Sequence, residues 1–238
     1  MKTLDFIKDL GYGVLNNTSY RQLDWQDPDS VLSLVALIQE GLTRLYTRFI
    51  IREKHVIVEM QVGVTFYHLN SLYSVQNGDR ERVPYPYIMD LPNEPFQDDV
   101  IKVLEVVDSA GVTRPINDSN NVNSVHIVQY DVIQNPCPRY LECLFVTYQA
   151  KHIAMISYLE DGQFVVEDEI FLPDALVPAL SNYVAYMVFS RINTPEGVAK
   201  ASGHLAIYEQ VCRDVESMDL LTNSISGTNS RFSQNGWA

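Results

Sequence analysis

Five histidines, His55, His68, His126, His152 and His204, are the side chains best suited to hold a metal or move a proton near neutral pH. None stands in an HExxH pattern, and no two are spaced i, i+4, which would put two imidazoles on one helical face. The acidic run Glu167-Asp168-Glu169 and the near neighbours Asp214 and Glu216 are carboxylates that could be imagined dividing acid and base roles. Such chemistry needs two carboxyls held across a cleft at a defined separation, whereas adjacent carboxylates on a turn or solvated face are ordinary. Cys143 lies in an apolar, strand-like context with no histidine placed beside it by spacing, which reads as a buried thiol. Glycine-rich phosphate loops (GxGxxG, GxxxxGK[ST]) and the GxSxG nucleophile turn are missing. The sequence therefore predicts no catalytic, cofactor or metal site, and a protein that is not an enzyme.

Composition narrows the classes further. The chain has 238 residues, 46% of them hydrophobic, enough for a substantial core. A formal net charge of -13 argues against a nucleic-acid surface, which relies on basic residues, and suits a conduit that repels passing DNA better than a clamp. Three cysteines, Cys137, Cys143 and Cys212, are odd in number and lack metal spacing, which fits a reducing compartment. The first thirteen residues lack the apolar core of a signal peptide, and no run approaches a bilayer span, so the expectation is a soluble protein without membrane contact.

With no reactive constellation to position, the elements must serve packing, and the stretch from Leu172 to Leu221 organises them. Leu172, Leu176, Leu180, Tyr183, Met187 and Ile192 recur at helical spacing, behind Pro173 and Asp174. Pro178 is either a kink or a sign that the regular helix starts after it. Thr194 reads as an N-cap with Pro195 and Glu196 just inside. The second stripe is Val198, Ala201, Leu205, Tyr208, Val211, Cys212 and Val215, with Ala199, Ala201 and Gly203 keeping the helix thin. A short connection between two opposed stripes predicts an antiparallel pair, with Leu180, Tyr183, Met187, Leu205 and Tyr208 as its core.

Ahead of this pair, Thr3 to Leu10 predicts a short helix with Leu4, Phe6 and Ile7 inward, ending at Gly11 and Gly13. Asp27 and Pro28 open a longer helix whose stripe is Val31, Leu34, Val35, Ile38, Leu42, Leu45, Tyr46 and Phe49, with Gly41 inside it. The helices on either side of the chain's middle are expected to pack together.

Between them the period changes to two. His55–Met60 and Val64–Leu69 predict a hairpin turning at Gln61–Gly63. Tyr85–Ile88 is too proline-rich for a central strand and reads as an edge or loop. Val100–Val107, Tyr140–Tyr148 and Ile153–Leu159 are strand candidates, Asp108–Gly111 and Asp161-Gly162 turns, and Asn117–Asn123 a polar loop. Residues 222–238 are almost all Ser, Thr, Asn, Gly and Gln, a composition that cannot build its own core. The fold class expected is α+β: an antiparallel helical bundle (1–49 and 171–221), an inserted β-rich module (50–170) and an extended C-terminal arm (222–238).

Three stretches carry a family resemblance: SLVALIQEGLTRLYTRFIIREKHVIVEM (33–60), ALSNYVAYMVFSRINTPEGVAKASGHLAIYEQVCRDVE (179–216) and NSISGTNSRFSQNGWA (223–238). In these and in overall layout the chain resembles the head-to-tail adaptor, or connector, proteins of short-tailed bacteriophages. The resemblance implies a helical bundle with a β insertion, repeated as a ring, commonly of twelve copies. Such a ring docks under the portal protein in the virion, receives the tail or nozzle protein on its other side, and passes genomic DNA without binding it specifically. It is made in the host cytoplasm. The resemblance assigns the portal-docking arm to Asn223–Ala238, with Asn223, Arg231, Phe232 and Trp237 as candidate contacts. Two rivals stand beside it: a tail-completion or nozzle protein of the same virion, which would lack the portal-binding arm, and a wall-degrading hydrolase, which would need two converging carboxylates of perturbed pKa.

Overall fold

The computed structural model describes residues 1–22, 28–139, 142–155, 157–160, 163–166 and 169–218. It is a mixed α+β fold, with helices on either side, in sequence, of a central antiparallel β region and a helical segment toward the C-terminus. The residues gather into two compact units. One is made of the described residues of Met1–Ile38 and those from Tyr158 onward, the other of those of Gln39–Ser157.

In the first unit, α1 (Thr3–Tyr12) buries Phe6, Ile7 and Leu10, while Leu4 is only half-buried. The Gly13 N–H closes its last turn on the Asp9 carbonyl at 2.8 Å. A side chain at Gly11 would meet the Tyr20 carbonyl at 2.9 Å, so only glycine lets the following single turn, Ser19–Gln22, come this close. Lys2 forms an isolated antiparallel bridge with Glu169.

The second helix, α2 (Pro28–Arg48), starts in the first unit and ends in the second. Every residue of the expected stripe, Val31 through Phe49, is buried, and Gly41 with them. Apolar residues at this period leave the helix no other way to hide them from water. The expected cap, Asp27, lies outside the described residues.

The second unit is built on sheets. Strands β1 (Glu53–Glu59), β2 (Phe66–His68), β3 (Ile88–Met89), β4 (Val100–Asp108), β5 (His126–Gln129), β6 (Val132–Gln134) and β7 (Cys143–Ala150) form two of them, ordered β3-β1-β7-β4 and β2-β6-β5. The expected 55–69 hairpin is not formed. β1 pairs with β7 along seven residues, Glu53↔Gln149 to Glu59↔Cys143, whereas β2 is three residues long and pairs with β6. The longer ladder and its shared core outcompete the local turn. Tyr67 completes the separation. Its hydroxyl accepts from the Gln61 N–H (2.9 Å) and donates to the Val64 carbonyl (2.8 Å), tying off the chain between β1 and β2.

Alternation along β1 and β7 puts Val56, Val58, Leu144, Val146 and Tyr148 into one core with Ile88 of β3, and two shifts of register in β4 bring Val103 and Val106 to the same face. Tyr67, Tyr87, Phe96, Val125 and Ile133 complete it. The buried tyrosines are admissible because their hydroxyls are satisfied: that of Tyr87 accepts from the His68 N–H at 2.8 Å and donates to the His68 carbonyl at 3.1 Å. Gln149, on the opposite face, donates to the Tyr46 and Phe49 carbonyls at the end of α2 (2.9 Å to Phe49). The last carbonyls of a helix lack the N–H of a following turn, so a side-chain donor is favourable there, and the Phe49 carbonyl also accepts from the Ile51 N–H at 3.0 Å.

Beyond Ala150 the strand expected at Ile153–Leu159 is shorter: β8 (Ser157–Glu160) pairs with β9 (Gln163–Val166) as a two-stranded ribbon. The Asp161-Gly162 turn, Glu167 and Asp168 lie outside the described residues, as does the expected arm. The helix expected from Leu172 begins later. A single 3-10 turn (Asp174–Leu176) leads into α3 (Val177–Ser190), with Pro178 in its first turn, where no N–H is needed. Then α4 (Pro195–Ser217) follows, with the Thr194 hydroxyl accepting from the Gly197 N–H at 3.1 Å as the predicted cap.

Candidate functional site

Helices α3 and α4 lie antiparallel. Leu180, Tyr183 and Tyr208 are buried, and the rings of Tyr183 and Tyr208 meet with centroids 5.4 Å apart. Burying each such side chain stabilises by about 1.5–3 kcal/mol. Met187 and Leu205, expected in the same core, are only half-buried, and Ile192 is exposed. The reason is that α3 is covered on most sides: Ala179, Val184, Ala185, Val188 and Phe189 are buried as well, so its apolar period does not mark one face. In α4, Ala201, Cys212 and Val215 keep their expected inward places, while Val198 is 57% exposed. The close approach expected from Gly203 is at Gly197 instead. A Cβ there would lie 2.5 Å from the Ile192 carbonyl, whereas one on Gly203 would meet nothing.

A polar layer crosses this seam. Asn182 Nδ2 donates to the Pro178 carbonyl at 2.8 Å, which turns its Oδ1 toward His204 Nδ1, 2.9 Å away. The His204 ring stacks on Phe189 with an interplanar angle of 4° and centroids 5.4 Å apart, and the Lys200 ammonium sits 5.6 Å from the Phe189 centroid. Burial holds the imidazole below its ordinary pKa, so the neutral ring is the folded form. The sequence stripe did not select Asn182 or His204. The signal for Asn182 was its place directly before the apolar run YVAYMVF, inside a helix buried on most sides, where a polar residue must find a partner.

The β-rich unit holds two further polar clusters. Arg114 (6% exposed) and Glu142 (7%) form a buried ion pair, with Asp108 3.7 Å from the same guanidinium. Asp108 is held below the usual carboxylate range first by the Val112 N–H, then by the Ala110 N–H and Arg114. Lys54 lies 2.7 Å from Asp99, whose other oxygen accepts from the Tyr148 hydroxyl at 3.1 Å. Burial, then the Asp99 charge, raises the Tyr148 pKa far above neutrality, so this phenol does not exchange protons near pH 7. Both clusters tie strands to loops, and neither pairs an acid with a base of displaced pKa across a cleft.

Elsewhere, His55 contacts the Thr147 hydroxyl at 3.0 Å, His68 stacks on Tyr73, and His152 packs edge-on against Tyr46. Burial, then Glu59 and Glu142, pushes the Cys143 thiol up; Cys212 is buried and Cys137 exposed. Among the described residues no three His, Cys, Asp or Glu side chains are grouped to hold a metal ion, and no helix is long and apolar enough to cross a membrane. Asn223, Arg231, Phe232 and Trp237 lie outside the described residues. No protein-family model matches the chain, and no curated protein matches it by sequence.

Proposed function

We propose that this chain is the subunit of a ring joining the head of a tailed bacteriophage to its tail, with the portal protein on one side and a tail or nozzle protein on the other. The observation that carries the reading is the segment 179–216. It resembles the helix pair of head-to-tail adaptors, and here it is a pair with a defined cap at Thr194, leading toward the Ser/Asn/Gly-rich sequence 223–238. The net charge of -13 supports a channel that lets DNA pass rather than one that grips it. In this reading the arm docks on the portal through Phe232 and Trp237, groups large enough to return several kcal/mol each when desolvated. Arg231 is its only ionisable side chain.

The test is deletion of 222–238 followed by co-sedimentation with portal-containing heads. Recruitment is expected to vanish while the melting temperature stays within about 2 °C of the full chain, and W237A is expected to weaken it partially. Full-affinity binding by the truncated protein would overturn the reading.

A further inference from the structure

The edge of the four-stranded sheet is incomplete. The Ala150 N–H donates to the Arg52 carbonyl at 2.9 Å, so the even-numbered residues of β1 turn their backbone toward β7. The Glu59 N–H donates to the Tyr87 carbonyl at 2.8 Å, so the odd-numbered ones face the β3 side. On that side β3 supplies only two residues, Met89 opposite Ile57 and Ile88 opposite Val58. The next outward-facing amide, that of His55, lies beyond its end.

The chain is actively held off β1 at this point. After Met89, the Asp90 carboxylate accepts from the Ser74 hydroxyl (2.6 Å), the Gln76 N–H (3.1 Å) and the Phe96 N–H (2.7 Å). Leu91 and Glu94 then bridge to each other as the chain folds back. Between the departing chain and β1 opens a groove of about 260 Å³, lined by His55, Ile57, Leu91, Glu94, Phe96 and Phe145 among others.

The groove continues onto an apolar row. Met89, Ile57, Phe145 and Val107 stand side by side across all four strands, on the face opposite the core. Met89 and Phe145 are each 43% exposed, and Leu91 at the lip is 61% exposed. The lip carries the negative charges of Asp90 and Glu94, while the one lysine lining the groove, Lys54, is neutralised by Asp99 at 2.7 Å. A second copy of this acidic chain is therefore a poor occupant, and a cationic one is favoured.

We propose that this groove takes an extended segment of another protein, bearing lysine or arginine beside aliphatic side chains, which adds as a strand to the His55 edge of β1. Main-chain bonds to His55 give affinity, alternate side chains fill the Ile57–Phe96–Phe145 wall, and the basic residues meet Asp90 and Glu94. The inference goes beyond the ring reading and does not depend on it.

The probe is a fluorescein-labelled, end-blocked pentapeptide, lysine-valine-leucine-valine-arginine, titrated against the full chain by fluorescence anisotropy. Saturable binding is expected, with the His55 amide gaining protection from hydrogen exchange. The same peptide N-methylated at alternate amides should bind at least tenfold more weakly, as should the unmodified peptide to H55P. The 55 N–H points away from β7, so proline there removes no main-chain bond of the β1–β7 ladder, and H55A, which keeps the N–H, should bind as the wild type does. E94K, on an exposed turn, should weaken binding at least threefold. Equal binding of the methylated peptide, equal binding to E94K, or no saturable binding at all would overturn the proposal. So would a self-associated chain whose dimer is lost in H55P, because the edge would then belong to a second copy.

Discussion

The Oδ1 atom of Asn182 on α3 stands 2.9 Å from Nδ1 of His204 on α4, a polar side-chain bond across the seam between the two helices. With Asn182 oriented by the Pro178 carbonyl, the neutral imidazole donates from Nδ1, and protonation would add a charge at Nε2 inside the packed layer.

That arrangement sets a pH dependence. Burial depresses the folded-state pKa of His204 below its ordinary 6.5, so the unfolded chain takes up the proton first. The stability associated with the neutral ring is complete above about pH 6.5 and is lost as the pH falls through the depressed folded value. Thermal melts between pH 7.5 and 5 should show a falling midpoint in the wild type and a flatter profile in H204Q. Parallel profiles would show that His204 does not titrate on unfolding.

Leu180→Asp places a carboxylate in the closed part of the same seam. An unpaired charge there costs several kcal/mol, a large fraction of a typical domain's stability. The variant should be insoluble or unfolded by circular dichroism. Ile207→Asp, at an exposed position on α4, should melt within about 2 °C of the wild type.

The start of α4 offers a graded comparison. Thr194→Ala removes one cap bond and should cost about 1 kcal/mol by urea denaturation. Gly197→Ala should cost more, because its methyl would collide with the Ile192 backbone carbonyl rather than a movable side chain. A reversed order would mean that the 192–194 connection shifts freely.

In the β-rich unit, Glu142→Gln leaves Arg114 buried with only the more distant Asp108, and should destabilise by about 3 kcal/mol. Replacing both partners, R114M with E142L, should cost less than the single change, because no uncompensated charge remains. Additive losses would contradict the pairing.

How much of this was legible in the sequence follows from which residues announce their surroundings. The α2 stripe was readable because leucine, isoleucine and valine at helical spacing admit one interpretation, and Thr194-Pro195 because cap and proline agree. The β pairing was not. β1 and β2 look like a hairpin locally, and only the distant 143–149 ladder shows why they part. β5 and β6 are short, with the last two residues of β5 exposed and the first two of β6 buried, so no alternation marked them. The core of that unit rests on Tyr67, Tyr87 and Tyr148, whose type is equally at home at a surface until a partner for each hydroxyl is known. The polar seam at Asn182 and His204 was hidden for the same reason: a buried polar pair is visible only as a pair.

The bridge between Lys2 and Glu169 bears on how the molecule is made. Unit one is split in sequence around Gln39–Ser157, so on a translating ribosome the inserted unit is complete before its host is. At ordinary elongation speeds Lys2 would wait on the order of ten seconds or more for Glu169, its bridge partner, to be made. The unit that buries Phe6, Ile7 and Leu10 on α1 therefore cannot be completed until the chain beyond Ser157 has been made.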